Sequence, residues 1–137
     1  MLNRRFIMND VFKNILAALC AAAGFVFGDM NGLMIALIAL IVLDYISGVL
    51  AAIAEKKLSS EVGAKGIAKK IFMLLIVAVA NIVDINVICE GHVLKSVTII
   101  FYIANECISL LENAGRLGVP VPKKLIDVLQ QLKNKEK

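Results

Sequence analysis

Asp44 and Glu106 are the residues of this sequence that chemistry singles out first, because each is an acid inside a long apolar run. A carboxylate at the centre of a helix in hydrocarbon costs about 2.5–3.5 kcal/mol on insertion scales, so it must be paired, protonated or turned to water. Ser47, Gly48, Ala51 and Glu55 follow Asp44 at helical spacing and give it a small, polar face. Small residues on such a face let a neighbouring helix approach closely. The stripe around Glu106 is longer: Thr98, Tyr102, Asn105, Ser109 and Glu112 alternate steps of four and three, with Glu106 and Asn113 beside them. A period near 3.5 keeps these residues on one face, which must meet other helices or water rather than lipid. Asn81 and Asp84 add a polar pair at the end of a further apolar run. Asp44, Ser47, Gly48, Asn81, Asp84, Tyr102, Asn105, Glu106, Ser109 and Glu112 are therefore the candidate pore-lining or oligomer-interface residues. Two readings of Asp44 stand side by side: a protonated acid that holds helices together, and an acid that faces water once a pore opens.

Other chemistries find little support. Cys89, Glu90 and His92 lie close together but lack tetrahedral ligand spacing, so no metal site is expected. Cys20, Cys89 and Cys107 have no CxxC spacing and suggest no disulfide framework. No nucleophile–base pair is evident, and Gly63-Ala64-Lys65-Gly66, without the length or the Ser/Thr of a P-loop, reads as a plain loop. The expectation is a protein with no catalytic residues and no cofactor.

The elements that carry these acids are membrane spans. The chain has 137 residues, of which 60% are hydrophobic and 19% charged, with a mean hydropathy of +0.85. A soluble domain of this length has too little interior for so much Leu, Ile, Val and Ala. Leu33 to Ala54 carries the single charge Asp44 and as a helix is roughly 33 Å long, enough to cross the hydrocarbon core. Residues 67–83 and 93–111 are two more spans. Residues 11–27, alanine-rich and about 25 Å long, form a shorter one. The Arg4-Arg5 pair before it and Ala21-Ala22-Ala23 within it also fit a signal peptide. The Ala17, Ala21, Gly24 and Gly28 series gives it a small-residue face, a weak packing signal.

Charge decides between three spans and four. With four spans and both termini in the cytoplasm, every one of the 15 Lys and Arg residues except Lys95 lies on the inner side. That is the distribution the positive-inside rule requires. A net charge of +4 is thereby assigned to membrane orientation, and nucleic acid is not an expected partner. Met8, after Arg4 and Arg5, is the only hint of a second start, and an ordinary internal methionine is the simpler reading. Residues 1–117 are thus read as an all-α integral membrane bundle of four helices. Residues 118–137 form a basic tail that the Gly118-Val119-Pro120-Val121-Pro122 break separates from it. In that tail Leu125, Val128, Leu129 and Leu132 stand at helical spacing among lysines. They describe a short amphipathic helix able to rest on anionic lipid, or a solvated tail.

From Asp44-Tyr45-Ile46-Ser47-Gly48 onward, the sequence resembles the phage-lysis and toxin-secretion holins, the type found beside clostridial toxin genes. The further matches are Leu58-Ser59-Ser60, Gly63 and Gly66 leading to Lys69-Lys70, and Asp84. They continue with Tyr102-Ile103-Ala104-Asn105-Glu106, then Ser109, Glu112 and Asn113, and end at Gly118-Val119-Pro120-Val121-Pro122. The resemblance covers roughly Leu40 to Gln131. It implies a protein of the bacterial cytoplasmic membrane that accumulates, oligomerises and forms lesions releasing an endolysin or a large protein toxin. Two other classes remain in view on the residues alone: a four-helix proton-coupled exporter, and a membrane scaffold without a pore.

Overall fold

A computed structural model describes the backbone of residues 2–135 and the side chains of residues 6–135. The side chains of Arg4, Arg5 and Lys137, part of the charge argument above, lie outside the described residues. Five helices follow one another: α1 Leu2–Phe27, α2 Gly32–Ala54, α3 Ser60–Val83, α4 Val93–Arg116 and α5 Lys123–Lys135, with a π-helical turn, Asp84–Ile88, continuing α3. Four of them are long and apolar enough to cross a membrane. The all-α membrane bundle expected from the sequence is the architecture found.

The helix ends follow local chemistry. Asn31 caps α2 by accepting the N–H of Met34 at 3.0 Å. Ser59 caps α3 by accepting that of Val62 at 3.2 Å, and Glu61 sits in the first turn, where an acid is favoured. This cap starts α3 at Ser60, before the expected boundary at 67, so Gly63-Ala64-Lys65-Gly66 is helix and not a loop. Both glycines lie under the ring of Tyr45 on α2: a Cβ on Gly63 would stand 3.6 Å from the Tyr45 hydroxyl, and one on Gly66 3.7 Å from Cε2. Packing against α2 outweighs the roughly 1 kcal/mol helical penalty of each glycine. At the far end, the chain stays helical past the expected span boundary at 83, through Ile88, and turns at Cys89, which has a left-handed φ of 55°. α4 runs on to Arg116, and Gly118 with φ +78° ends the run before the two prolines.

α4 is the centre of the bundle and packs against α2, α3 and α5, whereas α1 packs mainly on α3 and α5 packs on α4. The apolar core is small: Met34, Leu37, Val77 and Ile99, with Phe27, Leu74 and Tyr102 among the side chains around it. Most large apolar side chains face outward instead, including Phe25, Ile35, Leu43, Phe72 and Val79. Apolar residues outside and acids inside is the reverse of a soluble domain, and it suits lipid as the surrounding medium.

Candidate functional site

The centre of the bundle holds charge. Asp44 of α2 and Glu106 of α4 are both buried, and Lys70 of α3 donates a hydrogen bond to Asp44 Oδ2 and another to Glu106 Oε2. One ammonium thus joins three membrane-length helices. Such pairing is what the cost of a charge in hydrocarbon demands, and three donors on one ammonium allow a lysine to serve two carboxylates. The other oxygen of each acid differs. Asp44 Oδ1 accepts from Asn113 Nδ2 at 3.1 Å. Glu106 Oε1 is buried and has no hydrogen-bond partner.

Asn113 extends the network along α4. Its amide also donates to Ser47 Oγ at 2.9 Å, while its carbonyl accepts from Arg116 Nη1 at 3.1 Å. Arg116 in turn grips Glu55 in a bidentate pair, Nε to Oε1 at 3.0 Å and Nη2 to Oε2 at 2.8 Å. The guanidinium beside Glu55, just past the end of α2, holds its carboxyl below the usual value. Together these contacts fasten α2 to α4 from mid-helix to their shared end. A cavity of about 270 Å³ opens between α2, α3 and α4 beside this network, lined by Asp44, Tyr45, Gly48, Lys69, Lys70, Asn105, Glu106, Ser109, Asn113 and Arg116.

A second cluster lies at the opposite end of α3 and α4. Asp84, fully buried, accepts the backbone N–H of Leu94 at 3.1 Å and that of Lys95 at 2.7 Å. It caps α4 from the π-helical turn, where a negative charge meets the helix dipole. Lys95, 2% exposed, donates to the carbonyl of Phe27, and Asn81 Nδ2 donates to that of Val26 at 3.0 Å. The unsatisfied carbonyls at the end of α1 are thus met by side chains of α3 and α4. This is the described polar attachment of α1, most of whose apolar side chains are exposed.

The ten candidates therefore separate. Asp44, Ser47, Gly48, Asn105, Glu106 and Ser109 gather at the central network and its cavity, and Asn81 and Asp84 belong to the second cluster. Tyr102 packs on the apolar core, edge-on to Phe101 with centroids 5.4 Å apart. Glu112 is exposed, on a groove between α4 and α5 shared with Val119, Val121 and Ile126. The residues sequence reasoning left out of this set are Lys70, Lys95, Asn113, Arg116 and Glu55. The available signal for Lys70 was a lysine at the edge of an apolar run in a chain whose other apolar runs carry acids. Among the described residues no group of His, Cys, Asp and Glu is arranged to hold a metal ion.

The model of the bacteriophage holin family matches residues 21–134, from the second half of α1 into α5. The chain belongs to that family. It is a holin-like, multi-pass membrane protein, and the family is not one of enzymes. Among its relatives is an uncharacterized protein of Halalkalibacterium halodurans, 38% identical over 133 residues that cover 94% of this chain and 98% of the relative. An uncharacterized protein of Listeria innocua is 40% identical over 122 residues, covering 89% and 86%. An uncharacterized 14.9 kDa protein in the nagH 3′ region of Clostridium perfringens is 40% identical over 111 residues, covering 81% and 84%. No solved structure matches. The central network and the cap on α4 both fall within the holin match.

Proposed function

We propose that this holin-family chain oligomerises in the bacterial cytoplasmic membrane and opens large, nonspecific lesions that release an endolysin or a large protein toxin. The observation that carries the reading is the triad of Asp44, Lys70 and Glu106, placed midway along three membrane-length helices. In the closed chain these groups bond one another inside the bundle, which presents mainly apolar side chains to lipid. The same groups are the ones able to line water when helices separate and repack between copies. A cavity of about 270 Å³ is far too small for a protein cargo, so passage of a protein requires many copies around a common opening. The excess of Lys and Arg on one side supports a topology with both termini in the cytoplasm and the turn containing Cys89 outside.

A proton-coupled exporter draws on the same cavity and the same acids, and a scaffold would need neither. Release from lipid vesicles separates the three. Vesicles loaded with dextrans from small-dye to protein size receive the purified full-length chain. A holin releases all sizes above a threshold protein density, with a steep dependence on copy number. Loss of only a small coupled solute supports the exporter, and retention of every dextran at high density overturns the proposal.

A further inference from the structure

We propose that Glu106 Oε1 binds one exchangeable proton, delivered through the cavity between α2, α3 and α4. The argument is one of charge. Asp44 and Glu106 bring two carboxylates to a buried site, and Lys70 brings one ammonium. The other ionisable groups on the cavity leave that imbalance in place. From α2, Tyr45 brings no cation; from α3, Lys69 is exposed; on α4, Arg116 is paired with Glu55. The network is therefore one positive charge short in a place where an unbalanced carboxylate is expensive.

The vacant valence has a position. Lys70 serves Glu106 Oε2, whereas Oε1 has no partner although the residue is fully buried. Asp44 has no such oxygen, since Asn113 and Lys70 occupy both. The cavity passes this acid and is lined by Leu58 and Gly63 beside the α2–α3 turn, with Asn105 and Ser109 supplying polar groups along its wall. A proton from solvent adds to Oε1, converting carboxylate to carboxylic acid, and no other bond changes. The resting bundle then binds one more proton than a form whose acids face water, so the balance shifts away from the resting bundle as pH rises through this titration. Proton occupancy becomes a control on the resting bundle, and this holds whether or not the open form is a lesion.

Infrared spectroscopy of the full-length chain in lipid nanodiscs reads the proton directly, as the C=O stretch of a protonated carboxyl that shifts in heavy water. At neutral pH the wild type gives a band equivalent to one group per chain. Glu106→Gln removes it. Asp44→Asn removes it too, because Lys70 and Glu106 are then balanced and Glu106 is ionised. Lys70→Met leaves two acids with no ammonium and raises the band about twofold. Absence of the band in the wild type overturns the proposal without any variant, and so does a band that survives in Glu106→Gln.

Discussion

Asn81 on α3 donates to the carbonyl of Val26 at 3.0 Å, across 55 residues of sequence, and with Lys95 it fastens the end of α1 to the rest of the bundle. The chain passes between them at Gly28, where φ is +67° and a Cβ would come within 2.8 Å of Asn81 Oδ1 and 3.1 Å of Lys95 Nζ.

Gly28→Ala is therefore expected to destabilise the bundle and free α1. Gly91 is the control, with the same positive φ but only Val93 at 4.0 Å. The backbone strain common to both sites costs about 1 kcal/mol. Gly28→Ala adds the displaced hydrogen bonds, about 1 kcal/mol each. Unfolding in mixed detergent micelles should rank Gly28→Ala well below Gly91→Ala, and equal losses would show that the Asn81–Lys95 attachment contributes little.

Lys70 and Lys69 are adjacent and predicted to behave very differently. Lys70 is held between two buried acids, while Lys69 is exposed. Removing one partner from a buried ion pair costs about 3–5 kcal/mol. Lys70→Ala should thus lose several kcal/mol in the same unfolding assay, with Lys69→Ala near wild type.

These residues also mark what was legible in the sequence. Asp44 and Glu106 stood out because acids are rare in apolar runs, and their polar neighbours recur at helical spacing. Lys70 did not, because it closes a basic segment that reads as interfacial, and only the fold shows its long side chain reaching inward. Lys95 counted as an outer charge, yet it is buried against the end of α1. The stripe on α4 read as one face, but α4 has three neighbours: Asn105 and Ser109 turn to the cavity, Tyr102 to the core and Glu112 toward α5. A periodicity identifies a face without saying which helix covers each part of it. The glycines of α3 were misleading for the same reason, since Tyr45 comes from another helix.

Loosening the central network should change when lesions open. Asp44→Asn and Glu106→Gln each weaken a tie to Lys70, so both are expected to advance the onset of lysis at matched expression. Leu43→Ile, an exposed apolar swap on α2, should leave it unchanged. Optical density traces from induced cultures read this, and identical onset for all three variants would confine the network to a packing role.

Orientation is open to chemical test at Cys89, which is exposed in the turn after α3. With Cys20 and Cys107 replaced by Ala, a membrane-impermeant thiol reagent should label Cys89 in intact protoplasts. Labelling only after rupture would place that turn inside and reverse the topology.

Lysis by a hydrolase that cannot export itself tests whether the chain lets folded protein cross the cytoplasmic membrane. The full-length chain and a cell-wall hydrolase without an export signal are induced together in a bacterial host, with each alone as the control. The expected result is a delayed, abrupt fall in optical density that requires both proteins. A culture that keeps its density and viability, with the chain demonstrably in the membrane and the hydrolase active in lysates, would show that the chain opens no protein-sized lesion.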